Sequence, residues 1–493
     1  MLQRESKRVG LAVDAPYGAS QTVIKPLAHL FKDVPGVSGS TTLDTSRVAL
    51  ILDPAVSLQE VCKKPRRLYE TETNTIKSVQ RDKNSVHCFF ALQQRRNTMM
   101  RRSLLGLFVF LCASATFAQD LSNIQIHGFV TQGFLYSSTN NYLSTNSSSG
   151  SLNWTDGVVS ISDQVSDKLR VGVQMHMYQL GDFGGPTLQV DWAAGDYRAN
   201  DKARFAFGKV KTVIGLFNDT QDLDAVHLWA LLPQGVYPID NKTFSLAHYG
   251  ADFHGDMTLR ERGGTLSYRA YAGYRTLGLD SGYVKAIDLA MPGFDQAFGL
   301  PNALITSAPG GKVFGGDVRW QTPLKGLLIG SSASAEDLQG SAGAVSIHAA
   351  RNVVTQQYVK FERSKFLAAF ELKRMPVTLT YTANTAGGPI PITNLVDWRS
   401  WYVMTSYRVT EKFEVGTYYS HLVDAGGGQN TSHIGNYSKD WTISSRYDFN
   451  SHFYAKIEEH FVHGTDIGFY SDSNPNGEKP RTNILAAKVG FSF

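Results

Sequence analysis

From residue 124 to the C-terminus, apolar and polar residues alternate along the chain, and the last segment shows this most clearly. One set of positions there carries Leu485, Ala487, Val489, Phe491 and Phe493, and the intervening set carries Ala486, Lys488, Gly490 and Ser492. The same alternation recurs in residues 169–177, 266–275, 366–373, 401–408 and 441–447. A period of two residues places successive side chains on opposite faces of a β-strand. The pattern therefore predicts many strands, each with one apolar and one polar face.

Short polar turns join these strands in pairs and alternate with longer connections. The seven short turns are residues 163–168, 198–202, 258–263, 322–326, 362–365, 409–412 and 448–451. The longer connections, rich in Gly, Ser, Asn and Pro, are residues 137–151, 181–186, 213–245, 276–311, 336–351, 383–397, 425–436 and 463–481. Two strands flank each turn, and the first and last strands add two more. We therefore expect about sixteen strands, an even number typical of bacterial membrane barrels.

The residue types on the two faces of the strands indicate which environment each face contacts. The polar faces carry Arg, Lys and Glu beside Gly and Ser, and Trp and Tyr concentrate at the ends of the apolar stripes. A soluble sandwich would bury its apolar face, whereas a membrane barrel turns that face to lipid and its polar face to a wet lumen. Aromatic residues at the stripe ends are typical of membrane interfaces. The predicted fold class is therefore all-β, a closed antiparallel transmembrane β-barrel.

Residues 99–118 have the three parts of a secretory signal peptide. Arg101 and Arg102 supply the basic start, residues 104–113 form a short apolar run, and Thr116 and Ala118 place small residues at a cleavage site. The apolar run is shorter than the roughly 20 residues of a membrane-spanning helix. We therefore expect export and cleavage after Ala118, which leaves residues 119–493 as the barrel domain.

Residues 1–98 precede this signal and show no sustained period of 2 or 3.6 residues. They hold 15 Lys and Arg against 9 Asp and Glu, whereas residues 119–493 hold 31 against 34. Because a signal peptide belongs at a true N-terminus, we interpret residues 1–98 as a non-native or disordered extension from a mis-assigned start. A cytoplasmic extension or a long pre-region is the alternative. The net charge of +5 over the whole chain therefore gives no reason to expect a nucleic-acid partner.

The residue types of the barrel domain exclude several chemistries. Cys62, Cys88 and Cys112 all precede residue 119, so the domain has no disulfide, thiolate nucleophile or Cys metal site. It contains none of the sequence motifs of serine hydrolases, P-loop or dinucleotide-binding proteins, or zinc proteases. His127, His176 and His460 fall on polar faces and are interpreted as ordinary lumen residues. We expect no enzymatic activity, no cofactor and no metal.

Several segments resemble Gram-negative outer-membrane porins. Lys488, Gly490, Phe491 and Phe493, in the terminal KVGFSF, match the signature that the barrel-assembly machinery reads in that family. Residues 124–136 (IQIHGFVTQGFLY) resemble a first porin strand, and residues 208–224 (GKVKTVIGLFNDTQDLD) resemble a strand-five motif of phosphate-selective and related porins. The resemblance covers about residues 120–493. It implies a homotrimer in the cell outer membrane, in contact with outer-membrane lipid and lipopolysaccharide.

The resemblance also implies that the long third connection, residues 213–245, folds into the lumen and narrows it. Its acids Asp219, Asp222 and Asp224 are then expected at the constriction. Its apolar part, residues 225–238, is too hydrophobic to hang in water, so it should pack against the inner wall or form a short helix. Basic wall residues should stand opposite: Arg170, Lys209, Lys211, Arg269, Arg319, Arg408 and Arg446. Such an arrangement would orient polar solutes, although the alternative is that these charges only keep the pore wet.

The expected function is passive diffusion of small hydrophilic solutes and ions. The alternatives are a substrate-specific anion or phosphate channel, an outer-membrane structural or adhesion barrel, and an outer-membrane enzyme. Alternation turns eleven basic residues inward: Arg170, Arg204, Arg269, Arg275, Arg319, Lys360, Lys373, Arg408, Arg446, Lys456 and Lys488. Five acids share those faces: Asp317, Glu362, Glu371, Glu414 and Glu458. Because the loop acids oppose this surplus, the charge pattern predicts only a mild preference for anions.

Overall fold

A computed structural model describes residues 124–259, 263–427 and 430–493, together with five short strands nearer the N-terminus. The chain divides into two compact units, Met1–Ala118 and Gln119–Phe493. In the first unit, the strand Lys7–Leu11 pairs antiparallel with Leu2–Arg4 and parallel with Phe89–Phe90, and Val37–Thr42 pairs antiparallel with Val48–Leu52. The signal peptide and most of residues 1–98 lie outside the described residues, so their interpretation stays a prediction.

The second unit is a closed barrel of sixteen antiparallel strands, which confirms the predicted fold class and strand number. Each strand pairs with its neighbours in the sequence, and the last strand pairs with the first to close the sheet. The strands are β1 Ile124–Ser137, β2 Trp154–Ser166, β3 Leu169–Leu180, β4 Phe183–Asn200, β5 Ala203–Lys211, β6 Ala247–Thr258, β7 Thr265–Thr276, β8 Gly310–Gln321, β9 Leu327–Ala342, β10 Val345–Arg363, β11 Phe366–Thr385, β12 Gly388–Arg408, β13 Phe413–Asp424, β14 Tyr437–Asp448, β15 Phe453–Gly464 and β16 Arg481–Ser492.

The connections at one end of the barrel are short, as the turn pattern predicts, but three predicted outer loops are shorter than expected. Residues 336–351 and 383–397 belong largely to strands, with tight hairpins at residues 343–344 and 386–387, and residues 181–182 alone join β3 to β4. For the first two, strands β9 to β12 run for 16 to 21 residues, longer than the roughly 9–11 residues that span a membrane. A strand that projects into water keeps its ladder of hydrogen bonds but needs no apolar face, so its sequence looks like a loop.

The direction of each face agrees with the alternation. In β14, Trp441 and Ile443 are exposed on the outside, whereas Asp440, Thr442 and Ser444 are buried inside. Large apolar side chains form an outward belt around the barrel, as lipid contact requires: Val130, Phe205, Phe207, Tyr274, Phe314, Val318, Ile329, Phe370, Leu372, Val403, Ile457, Phe461 and Val489. The second unit is therefore a transmembrane β-barrel with an apolar exterior and a polar interior.

The barrel closes where the C-terminus meets β1. The backbone N–H of Phe493 donates to the Gly128 carbonyl and the N–H of Gly128 donates to the Phe493 carbonyl, each at 3.0 Å. The rings of Phe453, Phe491 and Phe493 follow one another outside, with centroid distances of 4.8 Å and 6.0 Å. The terminal aromatic residues therefore lie at the seam that completes the cylinder.

Two α-helices lie in the described parts of the outer loops, and the alternation of apolar and polar residues predicted neither. α1, Lys242–Ser245, ends the loop between β5 and β6. α2, Gly282–Phe298, lies between β7 and β8, with Ser281 as N-cap and Gly299 at φ +63° as C-cap. Val284 and Met291 of α2 are buried against the outer parts of the wall. Among the described residues, no helix is both long and apolar enough to cross a membrane.

Candidate functional site

The third outer loop, residues 212–246, folds into the barrel and contacts the inner wall. Gly215 starts the inward path with φ +69°, a conformation that glycine adopts at little cost. Its N–H donates to Ser332 Oγ at 2.7 Å, and its carbonyl accepts from Arg319 Nη2 at 2.9 Å. Other residues of the loop contact β2, β11 and β16, so the loop crosses the lumen as a folded element.

The apolar part of the loop packs against the inner wall, as its hydrophobicity predicts. Leu228, Trp229, Leu232 and Val236 are buried with aromatic residues that the wall turns inward: Tyr358, Tyr402 and Tyr418. The rings of Trp229 and Tyr418 meet edge to face, with centroids 5.0 Å apart. Burying such side chains contributes about 1.5–3 kcal/mol each. This apolar contact accounts for a folded loop in an otherwise polar lumen.

Asp224 is the centre of a buried electrostatic contact of the loop. Its carboxylate lies 2.6 Å from Lys488 Nζ and 3.0 Å from Lys456 Nζ, and it accepts a hydrogen bond from Tyr454 at 2.9 Å. Burial alone would raise the pKa of Asp224, but the two ammonium groups outweigh burial and hold this pKa well below its usual range. Asp224 is therefore an ionised anchor, tightly enclosed between β15 and β16.

Wall residues also bind the backbone of the loop. Glu458 accepts from the N–H groups of Ala230 and Leu231, both at 3.0 Å. Lys456 donates to the carbonyls of Asp224 and Trp229 at 2.7 Å and 3.0 Å. Arg446 donates to the carbonyls of residues 225 and 227 at 2.6 Å and 2.9 Å. Because these groups satisfy backbone donors and acceptors that have no strand partner, they stabilise an irregular loop in a buried place.

Glu371 anchors the opposite side of the loop. It accepts from the hydroxyls of Tyr237 and Tyr402 at 2.6 Å and 2.9 Å and from the Leu216 N–H at 3.1 Å. Nearby, Lys373 donates to the Val236 carbonyl at 2.8 Å. The C-terminal end of the apolar segment, at Val236 and Tyr237, and the start of the loop, at Leu216, are thus hydrogen-bonded to β11.

A third set of contacts joins the loop to β2 and β3. Lys242 Nζ lies 2.9 Å from Asp156, and Asp156 also contacts His176 at 2.7 Å. Asp222 is buried, lies 2.7 Å from Lys211 Nζ and accepts from Gln174. Of the three acids expected at the constriction, Asp222 and Asp224 are therefore enclosed structural contacts.

Asp219 differs, because it lies on a wetter side of the loop. It is 3.6 Å from Arg319 Nη1, and these side chains keep 27% and 22% of their surface exposed. Arg269, at 25% exposed, lies 3.4 Å from Asp252 on the same side of the barrel. Here an acid of the loop pairs directly with a guanidinium group of the wall, and both side chains keep part of their surface exposed. The transverse arrangement of charges expected at the constriction stays a prediction.

The remaining predicted wall residues occupy different environments. Arg170 is exposed and donates to Ser162 at 2.9 Å, and Arg408 lies 2.6 Å from Glu414 near the short turns. The prediction that Lys209 lines the pore is wrong. Lys209 pairs in register with Tyr249, an exposed residue of the outer face, with Nζ 5.4 Å from the ring centroid. The reason is the pleat of β5. Lys209 lies two and four residues after the outward Phe207 and Phe205, so its side chain is on the same outer face.

The predicted assembly signal also contributes to the interior. Lys488 binds Asp224 and stands 4.4 Å from the Trp154 ring centroid. A Cβ at Gly490 would lie 2.2 Å from the ring of Tyr454, which in turn binds Asp224. Lys488 and Gly490 are therefore inner-face residues, whereas Phe491 and Phe493 are exposed on the outer face.

Several anchors were predicted to face inward but not to bind the loop, namely Glu371, Glu458, Lys373 and Lys456. Their loop partners lie 134 to 232 residues away in the sequence, so no local spacing reveals the contact. His460, expected as an ordinary lumen residue, bridges Asp440 and Glu458 at 2.9 Å each. Within the described residues, no group of three or more His, Cys, Asp or Glu side chains is placed to hold a metal ion.

Comparison with known proteins gives matches for different parts of the chain. Residues 1–62 match the model of a family described as "CheW-like domain". No curated protein matches the chain. Among solved structures, in-vitro folded OmpT, an outer membrane protein of Vibrio cholerae, is 11% identical, with 77% of this chain and 100% of that chain covered and a TM-score of 0.46.

Two further structures have similar scores. An anion-selective porin from Comamonas acidovorans is 8% identical, with 75% and 99% of the two chains covered and a TM-score of 0.47. OmpF of Salmonella typhi, in complex with Daunomycin, is 12% identical, with 75% and 98% covered and a TM-score of 0.47.

The strand number and the two surfaces of the barrel are the structural features that can be compared with the sequence resemblance. Sixteen strands are the number at which a barrel encloses a porin-type lumen. The apolar outer belt, the charged inner wall and the loop that crosses the lumen complete that architecture. Residues 124–493 thus form a closed sixteen-strand antiparallel barrel with an apolar outer belt and a charged inner wall.

Proposed function

We propose that the barrel is a water-filled channel for passive diffusion of small hydrophilic solutes and ions across an outer membrane. The observation that carries this proposal is the contrast between the two sides of the third loop. Asp224, Lys456 and Lys488 are enclosed on one side, whereas Asp219, Arg269 and Arg319 keep solvent-exposed surface on the other. Solutes would cross past this wetter side of the loop, where Asp219, Arg269 and Arg319 keep exposed surface.

Single-channel recording of membrane-extracted protein in planar bilayers tests the channel directly. We expect discrete current steps that scale with salt concentration, because a wet lumen conducts ions. A structural or adhesion barrel, or an outer-membrane enzyme with a filled lumen, would give no steps. A folded barrel migrates differently on gels before and after heating. If protein that passes this folding test carries no current, the proposal is contradicted.

Ion selectivity should depend on Arg319. The wild-type channel is expected to prefer anions mildly, and Arg319→Ala should move the reversal potential in a salt gradient toward cations. The reason is that the substitution leaves Asp219 without its guanidinium partner at the wet side of the loop. Lys439→Ala is the matched control, since Lys439 loses the same charge from the outward face that carries Trp441. An unchanged reversal potential for Arg319→Ala would place the conducting path elsewhere.

The narrower alternative, a phosphate- or anion-specific channel, requires a cluster of free cations along the path. In the described lumen, Arg269, Arg319 and Lys211 each have an acidic partner within 4 Å. This pairing favours a general channel. Saturation of the current by phosphate at millimolar concentration would favour the specific one.

The processing and assembly predictions belong to the same proposal. The mature protein should begin at Gln119, because the signal-peptide pattern ends at Ala118. N-terminal sequencing of protein extracted from the outer membrane checks this, and a chain that begins at Met1 would contradict it. We also propose a homotrimer, which cross-linking in intact outer membranes would detect as a species of three barrels.

A further inference from the structure

The outer half of the barrel contains a cavity of about 440 Å³ that the channel proposal does not use. Its floor is the third loop at Gly235 and Pro238, and its roof is α2 at Tyr283 and Leu289. The outer ends of β11 to β13 and the last outer loop, residues 465–480, form the sides. A cavity of this size holds a drug-sized molecule and lies within the usual range for ligand sites.

Aromatic and apolar side chains supply much of its wall. Tyr283 and Trp398 stack with an interplanar angle of 27° and a centroid distance of 6.0 Å. Met375, Leu422 and Phe469 add further apolar surface. Such a lining excludes water from one side of a bound molecule and favours a flat apolar body.

The charged groups of the cavity are mainly acidic. Among its described lining residues, Asp240, Asp466 and Glu478 carry carboxyl groups and Lys373 carries an ammonium group. Lys373 donates to the Val236 carbonyl at 2.8 Å, and Asp240 accepts from the Tyr470 hydroxyl at 2.5 Å, so both already have protein partners. The surplus of carboxyl groups favours a cationic guest over an anionic one.

Asp466 stands apart from the other acids because its Oδ2 atom is buried and makes no hydrogen bond. A buried carboxyl oxygen without a partner is costly and calls for a donor. Burial and the negative charge of Asp424 together raise the pKa of Asp466 to about 7, against a hydrogen bond from Trp398 that lowers it. A cation bound in the cavity near this carboxyl group would favour its ionised form through the opposite charge.

We propose that this outer cavity binds a small organic cation, with its ammonium group toward Asp466 and its flat apolar body against Trp398 and Tyr283. Aromatic faces also attract ammonium groups through their quadrupole, so the two features of the site act on the same guest. The site lies outside the loop and wall contacts of the conducting path, and its occupation does not depend on whether the barrel conducts.

Calorimetry on the detergent-solubilised barrel tests the proposal with two probes of nearly equal shape. Tryptamine carries an ammonium group where tryptophol, its neutral analogue, carries a hydroxyl group. We expect tryptamine to bind at least about tenfold more tightly at pH 8, since each tenfold step in affinity corresponds to one well-placed charged contact. Equal binding of both probes, or binding of neither, would overturn the proposal.

A substitution at Asp466 tests whether this carboxyl group binds the cation. Asp466→Asn should reduce tryptamine affinity about tenfold and leave tryptophol affinity unchanged, because only the charge is removed. Asp337→Asn is the matched control, since Asp337 is an exposed acid outside the cavity and pairs with His348. Retained tryptamine affinity in Asp466→Asn would assign the cation elsewhere and overturn the proposal.

The pH dependence gives a readout that needs no variant. Asp466 must be ionised to pair with the ammonium group, so tryptamine affinity should rise as pH increases through about 7. A flat profile between pH 5.5 and pH 8.5 would contradict the role of this carboxyl group. Conductance is measured separately, so failure of binding and failure of the channel proposal are distinguishable.

Discussion

Replacing Asp224 with Asn is expected to release the third outer loop from β15 and β16 and to destabilise the barrel. The substitution leaves Lys456 and Lys488 buried without their shared counter-charge. Removing one partner of a buried ion pair costs about 3–5 kcal/mol. We expect a lower denaturant midpoint for the folded barrel in lipid vesicles, together with larger and noisier single-channel currents, because a released loop widens the lumen.

The control for this variant is Asp201→Asn. Asp201 pairs with Arg198 in an exposed turn, where ion pairs contribute little to stability, so its midpoint and conductance should match those of the wild type. If Asp224→Asn unfolds at the wild-type midpoint with the wild-type current, the loop is held by its apolar contacts and not by this carboxylate.

Deleting Phe493 is expected to impair assembly in the outer membrane severely. The residue makes two backbone hydrogen bonds to Gly128 at the seam between the last and first strands, and its ring is exposed where the resemblance places the assembly signature. The deletion therefore removes both a closing contact and an aromatic recognition group. The measurement is the amount of heat-modifiable barrel in outer-membrane fractions.

Deletion of Ser432, an exposed residue in the loop between β13 and β14, is the matched control. It shortens the chain by one residue and leaves the seam intact, so assembly should remain close to normal. Wild-type levels of folded barrel after deletion of Phe493 would remove the basis for assigning the C-terminus an assembly role.

Much of the barrel follows from local pattern. Alternation around Val489 and Trp441 predicted the correct faces, and the number of short turns predicted sixteen strands. These inferences succeed because a strand in a membrane barrel has lipid on one side and a polar interior on the other, so each residue reports its own face. The pattern fails where that contrast ends, as in residues 336–351. At Lys209 the assignment to the lumen departed from the pattern, since alternation with Phe205 and Phe207 places Lys209 on the outer face.

The loop site is different in kind. Local sequence identified residues 213–245 as a long connection with acids and an apolar stretch, and the porin resemblance implied its inward fold. Tertiary structure then distinguished Asp224, enclosed by two lysines, from Asp219, which pairs with Arg319 and stays partly exposed.

By itself, then, the sequence determined the all-β class, the strand number and the two faces of each strand, because these depend on contacts of a residue with its nearest neighbours and with its solvent. Only the tertiary structure decided which inward charges bind the loop and which face open space. The partners in those contacts, such as Glu458 with Ala230 and Lys488 with Asp224, are separated by more than 200 residues. Their meeting depends on closure of the barrel and on the packing of Trp229 against its inner wall.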